Sequence, residues 1–193
     1  MLNNILKTVA LFVFVTGCST TYNPEVDFNP EYNFNAVQSY HILATSKTDP
    51  TTDNLNKHVS DLDHQRLVKA IDHALERKSM VGVDKKEEAD VWVKYLITSK
   101  DKTQVRTYNT GFYNCWHCRG TFGFHTTDID VRNYVEGTVI IDFIDPKSNR
   151  SIWRAVESKP VKKNISVNEK QAKIQLMVDA MLASFKSPTP YVQ

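Results

Sequence analysis

The sequence predicts an α/β fold: a two-layer sandwich in which a mainly antiparallel sheet carries two helices on one face. Three observations predict it. Ser60 to Lys78 and Ser166 to Phe185 repeat apolar residues at helical spacing behind a serine cap. The stretches around Tyr40, Val93, Val139 and Trp153 alternate side chains or run in β-branched residues over strand lengths. The last two are joined by Asp145-Pro146-Lys147-Ser148-Asn149, which is turn chemistry. The order strand, helix, strands, hairpin, helix suits two helices laid on one sheet.

The chain opens on residues that are not part of that fold. Met1 to Lys7 carries one basic residue and no acid, and Val9 to Val15 is an uncharged apolar run. A short positive segment ahead of a short apolar one is the pattern of a secretory signal peptide. The run is about half the roughly 20 residues needed to cross a bilayer, so a permanent transmembrane helix is not expected. Val15-Thr16-Gly17-Cys18 resembles the lipobox of bacterial lipoproteins: a branched apolar residue, two small residues and a cysteine. That resemblance implies that residues 1–17 are removed and that Cys18 becomes an acylated first residue, and two or more acyl chains anchor stably. Ser19, rather than an aspartate, resembles the outer-membrane sorting signal of enteric-type bacteria. The expected location is the cell envelope, at the outer membrane and facing the periplasm. Residues 18–31, rich in Asn, Thr and Glu and broken by Pro24 and Pro30, read as a flexible tether. About 13 such residues reach roughly 20 Å.

Residues 32–187 read as a single globular domain, and residues 188–193 as a tail that frays. Tyr32 to Ala44 is a first strand region, centred on Ser39 to Leu43. Ser60 with Asp63 approaches a capping box, and Leu67, Ile71, Ala74 and Leu75 form the buried face of the first helix, flanked by Leu62 and Val68. Gly82 allows a turn. Val91 to Ser99 alternates as a strand that can run on to Tyr108. Val131 to Asp145 is the next strand, and Ser151 to Val156 pairs back with Ile152, Trp153 and Val156 as packing residues. Ser166 with Glu169 gives a capping box to the second helix, whose stripe is Ile174, Met177, Val178, Met181 and Phe185.

Tyr32-Asn33-Phe34, Ala89-Asp90-Val91, Glu136-Gly137-Thr138-Val139-Ile140-Ile141-Asp142, Asp145-Pro146-Lys147 and Ile152-Trp153-Arg154-Ala155 together resemble a bacterial lipoprotein family, the domain of unknown function 4136. The resemblance spans nearly the whole mature chain. It implies a fold and carries no chemistry with it, and Cys115 and Cys118 lie outside its pattern.

Composition narrows the function. With 24 Lys and Arg against 22 Asp and Glu there is no broad basic excess, so no nucleic-acid partner is expected. No solenoid repeat is visible. Assigning Cys18 to lipid leaves Cys115-Trp116-His117-Cys118 as an even cysteine pair in an oxidising compartment, where a disulfide is the expected state. Closing so small a ring contributes about 2 kcal/mol, enough to clamp a loop. Two other uses of the pair stay open. A thiol-disulfide redox site needs a helix N-terminus at the first cysteine, and here glycines and aromatics flank it. A zinc-binding module using His117 or His125 lacks a second Cys-x-x-Cys.

His58, His64 and His73 do not pair at helical spacing, and Asp128 and Asp130 read as solvated. No catalytic signature is present. The expectation is therefore a non-enzymatic binding or structural module with no metal and no cofactor. Besides the membrane, reached through the lipid on Cys18, its expected partner is an envelope protein, glycan or lipid. The candidate contact surface is the aromatic set Tyr108, Phe112, Tyr113, Trp116, Phe122 and Phe124 in the Gly-rich insertion.

Overall fold

The structure, a computed structural model, describes residues 21–43, 58–110, 126–162 and 164–185. Six strands, β1 (Glu25–Phe28), β2 (Ser39–Ile42), β3 (Val81–Gly82), β4 (Val91–Thr110), β5 (Thr126–Asp145) and β6 (Arg150–Pro160), form one sheet in the order β1-β6-β5-β4-β2-β3. The interfaces of β1 with β6, β6 with β5 and β5 with β4 are antiparallel, whereas β2 runs parallel to both β4 and β3. Among the described residues the α-helices are α1 (Asp61–Glu76) and α2 (Val167–Met181).

Strand register decides which side chains form the core. Val93, Phe143 and Trp153 stand in one row across β4, β5 and β6, and Tyr95, Ile141 and Ala155 in the next. All six are buried, in one cluster with Leu67, Ile71 and Leu75 of α1 and Val178 and Met181 of α2. Both helices therefore cover the same face of the sheet and lie against each other, with the Gln175 amide donating to the Ala70 carbonyl at 3.2 Å. The opposite face carries Lys94 and Arg154, both exposed. There Arg154 forks onto Asp142, with Nε donating to Oδ1 at 2.6 Å and Nη2 to Oδ2 at 2.9 Å.

Ile152 and Trp153 are adjacent yet both buried, which simple alternation forbids. The β5–β6 register slips between Phe143 and Ile144, leaving Ile152 as the extra residue of a bulge. A bulge re-aims one side chain without ending the strand. The β5–β6 turn matches its sequence chemistry. Asp145 Oδ2 accepts from the Ser148 amide and hydroxyl at 3.0 and 2.7 Å, and Asn149 takes the left-handed conformation at φ 53°. The Ser148 hydroxyl bond, ahead of the amide bonds, holds the Asp145 carboxyl below its ordinary range. Asp90, at the head of β4, accepts from the amides of Gln38 and Ser39 and from the Ser39 hydroxyl, each at 2.9 Å. That carboxylate fixes the start of β2 beside β4.

The two helix starts exchange the roles expected of them. Ser60 and Asp63 form the complete capping box. Ser166 accepts from the Glu169 amide at 3.2 Å, but the Glu169 carboxylate turns to Lys173 at 2.6 Å instead of returning to its cap.

Three expectations change. Residues 22–31 are part of the fold and not a free tether: β1 pairs with β6 from Glu25↔Val156 to Phe28↔Trp153, and the Tyr22 hydroxyl donates to the Lys173 carbonyl at 3.2 Å. The prolines that suggested a tether stand just outside the strand, where they break no ladder bond. The first strand region contributes only β2, because Phe34–Ala36 is a 3-10 turn. Gly82 does not turn the chain; it pairs with Tyr40 in β3, and a Cβ there would meet the Tyr40 ring at 3.3 Å.

The turn after α1 falls to Ser79, at φ 60°, while the Met80 amide reaches back to the Leu75 carbonyl at 3.1 Å. Glycine usually fills that left-handed position. Ser79 is exposed, so Ser79→Gly is expected to raise the unfolding free energy by about 1 kcal/mol, read by urea denaturation. Unchanged or lower stability would show that the serine is unstrained there.

Candidate functional site

Two features of the fold can engage another molecule. The first is a ribbon. β4 and β5 pair without a break from Trp92↔Ile144 to Thr110↔Thr126. Their described neighbours stop much earlier, β6 at the Glu136↔Pro160 pair and β2 at the Ile42↔Val93 pair. Among the described residues, from Lys102 and Tyr134 outward the two strands pair only with each other, over a length of about 25–30 Å at the usual strand rise. Residues 101–107 are all exposed.

The ribbon has two unlike faces. On the side continuous with the core, Val105 stands opposite Val131 and Thr107 opposite Ile129. These three apolar residues are 60%, 55% and 64% exposed, unusual for β-branched side chains massed on one surface. The reverse side is charged, with Lys102 paired to Glu136 at 3.1 Å and Arg132 to Asp130 at 3.2 Å.

The second feature is a cavity of about 500 Å³ on the helix side of the sheet, where the ribbon leaves the core. Ile97 and Val139 of the sheet form its floor, Ile174 and Met177 of α2 one wall, and Val161 and Ile165 of the β6–α2 connection another. Gly137 opens the floor, since a Cβ there would meet the Val161 side chain at 3.0 Å. The N-terminal caps of both helices stand beside the cavity. Asp63, next to the first cap, is buried and accepts from Lys170 at 2.6 Å and from Arg66 at 3.1 Å. Burial alone would raise its carboxyl. The Lys170 bond and the Ser60 amide and hydroxyl bonds outweigh that and hold it below the usual carboxylate range. Glu157, also buried, accepts from the Asn23 amide at 3.1 Å and pairs with Lys159 at 3.3 Å.

The sequence-selected residues divide sharply. Cys18, Cys115, Cys118, Phe112, Tyr113, Trp116, Phe122 and Phe124 lie outside the described residues. Tyr108 stands in β4 opposite Asp128, near the far end of the ribbon that leads to the aromatic insertion. The three histidines do not converge: His58 reaches Asp101 at 3.4 Å, His64 lies 5.9 Å from the Tyr95 ring, and His73 belongs to the last turn of α1. Among the described residues no three His, Cys, Asp or Glu side chains are grouped to hold a metal ion. No described helix is long and apolar enough to cross a membrane. Sequence reasoning missed the cavity. Its one local signal was Gly137 inside a strand, a residue that often marks open space or close approach.

Comparison with known proteins bears on the fold. No curated protein matches the chain. A PDZ domain protein from Parabacteroides distasonis superposes with a TM-score of 0.51 at 10% identity, over 87% of this chain and 36% of that one. This chain thus spans about a third of that protein's length, and the likeness is one of fold. A PelC dodecamer from Paraburkholderia phytofirmans gives a TM-score of 0.49 at 8% identity, over 88% of this chain and 100% of that one. A DUF4136 family protein from Bacteroides thetaiotaomicron gives 0.42 at 12% identity, over 86% and 95%. The sequence profile of the domain of unknown function DUF4136 matches residues 24–185, from the edge of β1 to the end of the turn after α2, and on that match the chain belongs to the DUF4136 family.

Proposed function

We propose that this protein is a lipid-anchored, non-enzymatic binding module of the bacterial cell envelope. Acyl chains on Cys18 hold it at the outer membrane, facing the periplasm, and the β4–β5 ribbon reaches a partner. The observation that carries this reading is the ribbon, two strands that leave the sheet with Val105, Val131 and Ile129 exposed on one face. Val105, Ile129 and Val131 lie outside the core cluster that holds the described domain together. A partner that covers them buries apolar surface, and strand edges with no described neighbour can accept a further strand. Those two properties favour an envelope protein over a glycan or lipid. In sequence the aromatic insertion follows directly on β4, so the ribbon leads into it.

Two experiments test the two halves. For the anchor, Cys18→Ala is expected to move the protein from the membrane pellet to the soluble fraction without changing its melting temperature. A wild-type protein that is already soluble after alkaline washing would remove the anchor. For the ribbon, a photo-crosslinking residue at Val105 is expected to capture a defined envelope protein in intact cells. Val131→Asp should abolish that adduct while shifting stability by no more than about 0.5 kcal/mol, as surface changes usually do. Capture that survives both Val131→Asp and deletion of residues 111–125 would sink the ribbon as the contact surface.

A further inference from the structure

We propose that the cavity at the base of the ribbon binds a single-chain anionic amphiphile of the long-chain fatty acid class. Its volume, about 500 Å³, falls within the range of roughly 300–1,000 Å³ typical of small-ligand sites. Its walls are aliphatic: Ile97, Val139, Ile165, Ile174 and Met177 face a space that core packing would ordinarily fill. A polar ligand would find few partners on those walls, whereas an acyl chain needs none.

The mouth supplies the other half of such a ligand. Lys159, Lys162, Lys170 and Lys173 line the cavity, and all four remain partly or fully exposed. Three are engaged within the domain: Lys159 with Glu157, Lys170 with Asp63 and Lys173 with Glu169. Lys162 makes no ion pair with a described residue. Asp63 in the first turn of α1 and Ile165 just ahead of the Ser166 cap also line the cavity, and the helix dipoles there are already met by Asp61, Asp63 and Glu169, which leaves Lys162 as the charge available to an anion. A carboxylate at the rim therefore meets the Lys162 ammonium, which is close enough to act on Glu169 but is held in no ion pair with a described residue, while its chain runs inward over Gly137. This site is separate from the exposed face of the ribbon and does not depend on what the ribbon binds.

The test uses the full chain carrying Cys18→Ser, so that no acyl group of its own is present, with dansyl-undecanoic acid as the fluorescent probe. Displacement by octanoic, decanoic, dodecanoic and palmitic acids is expected to tighten by about fourfold per methylene until the cavity is full. Decanoate should compete better than decanol, and Lys162→Glu should weaken the acid by about threefold to tenfold while leaving the alcohol unchanged. Gly137→Ile, which fills the floor, should abolish probe binding with the melting temperature kept.

Displacement independent of chain length, or full binding by a folded Gly137→Ile protein, would overturn the proposal. Where Gly137→Ile fails to fold, the acid and alcohol comparison decides, and equal competition before and after Lys162→Glu overturns it as well. Probe binding by the Cys18→Ser chain but none by the acylated wild type would reassign the cavity to the protein's own anchor, which also overturns a free ligand.

Discussion

Phe185→Ala is expected to lower the unfolding free energy by about 3–5 kcal/mol, the range for deleting a fully buried aromatic ring. Phe185 lies beyond the end of α2 and is 1% exposed. Its ring stacks on Phe143 at 4.1 Å between centroids, meets Trp153 edge-on at 5.5 Å, and meets Phe34 at 5.8 Å. One side chain thus ties the turn that follows α2 to β5, to the bulged residue pair of β6 and to the 3-10 turn ahead of β2. The Lys78 ammonium reinforces the same junction by donating to the Phe185 carbonyl at 2.8 Å. Removing the ring leaves a cavity whose walls come from four separate segments, so little collapse can offset the loss. At about 2–4 °C per kcal/mol for a domain of this size, the melting temperature should fall by roughly 6–20 °C. Phe34→Ala, at the partly exposed rim of the same cluster, should cost less than half as much. Calorimetry of both variants checks the pair. A Phe185→Ala loss below about 1 kcal/mol would mean that the cluster does not close the domain.

Phe185 was legible in advance because it continues the helical stripe of Ile174, Val178 and Met181. The helices were read well for a general reason: cap and apolar spacing are local signals, and here both agree with the tertiary fold. β1 was not legible. Only Val26 of its four residues packs on the core, so Glu25–Phe28 shows no alternation strong enough to outweigh the flanking prolines. The parallel placement of β2 between β3 and β4 was equally hidden. It depends on contacts across α1 and on Asp90 capturing Gln38 and Ser39, more than fifty residues away in the chain.

For the candidate sites the division is similar. The continued alternation past Ser99 indicated that β4 could extend to Tyr108. Whether it would project depends on where β2 and β6 stop, and neither stop is written in β4 itself. The cavity is assembled from β4, β5, the β6–α2 connection and both helix N-termini. No single stretch carries its signature, and the lysines that rim it fall in no motif.

Asp63→Asn is expected to cost about 3 kcal/mol at neutral pH, near the lower end for breaking a buried pair, because the partner Lys170 is 39% exposed. The effect reaches beyond one helix cap. Asp63 closes the capping box with Ser60, holds Arg66 on its own helix, and accepts from Lys170 in the first turn of α2. It is the polar link between the two helix starts. An asparagine keeps the shape and leaves both cations without their charge partner. The sign of the pH effect follows from the lowered carboxyl. A group depressed in the folded state contributes stability that is present above its unfolded value, about 3.9, and lost as pH falls through the folded value below that. Wild type should therefore lose this contribution on acidification below about pH 4, while Asp63→Asn, with nothing to protonate there, should not. Urea unfolding of the two proteins should show a gap of about 3 kcal/mol near pH 7 that narrows toward pH 2. Curves that stay parallel through the acid range would show that the charge on Asp63 is not what joins α1 to α2, and would leave the capping hydrogen bonds alone to account for the loss.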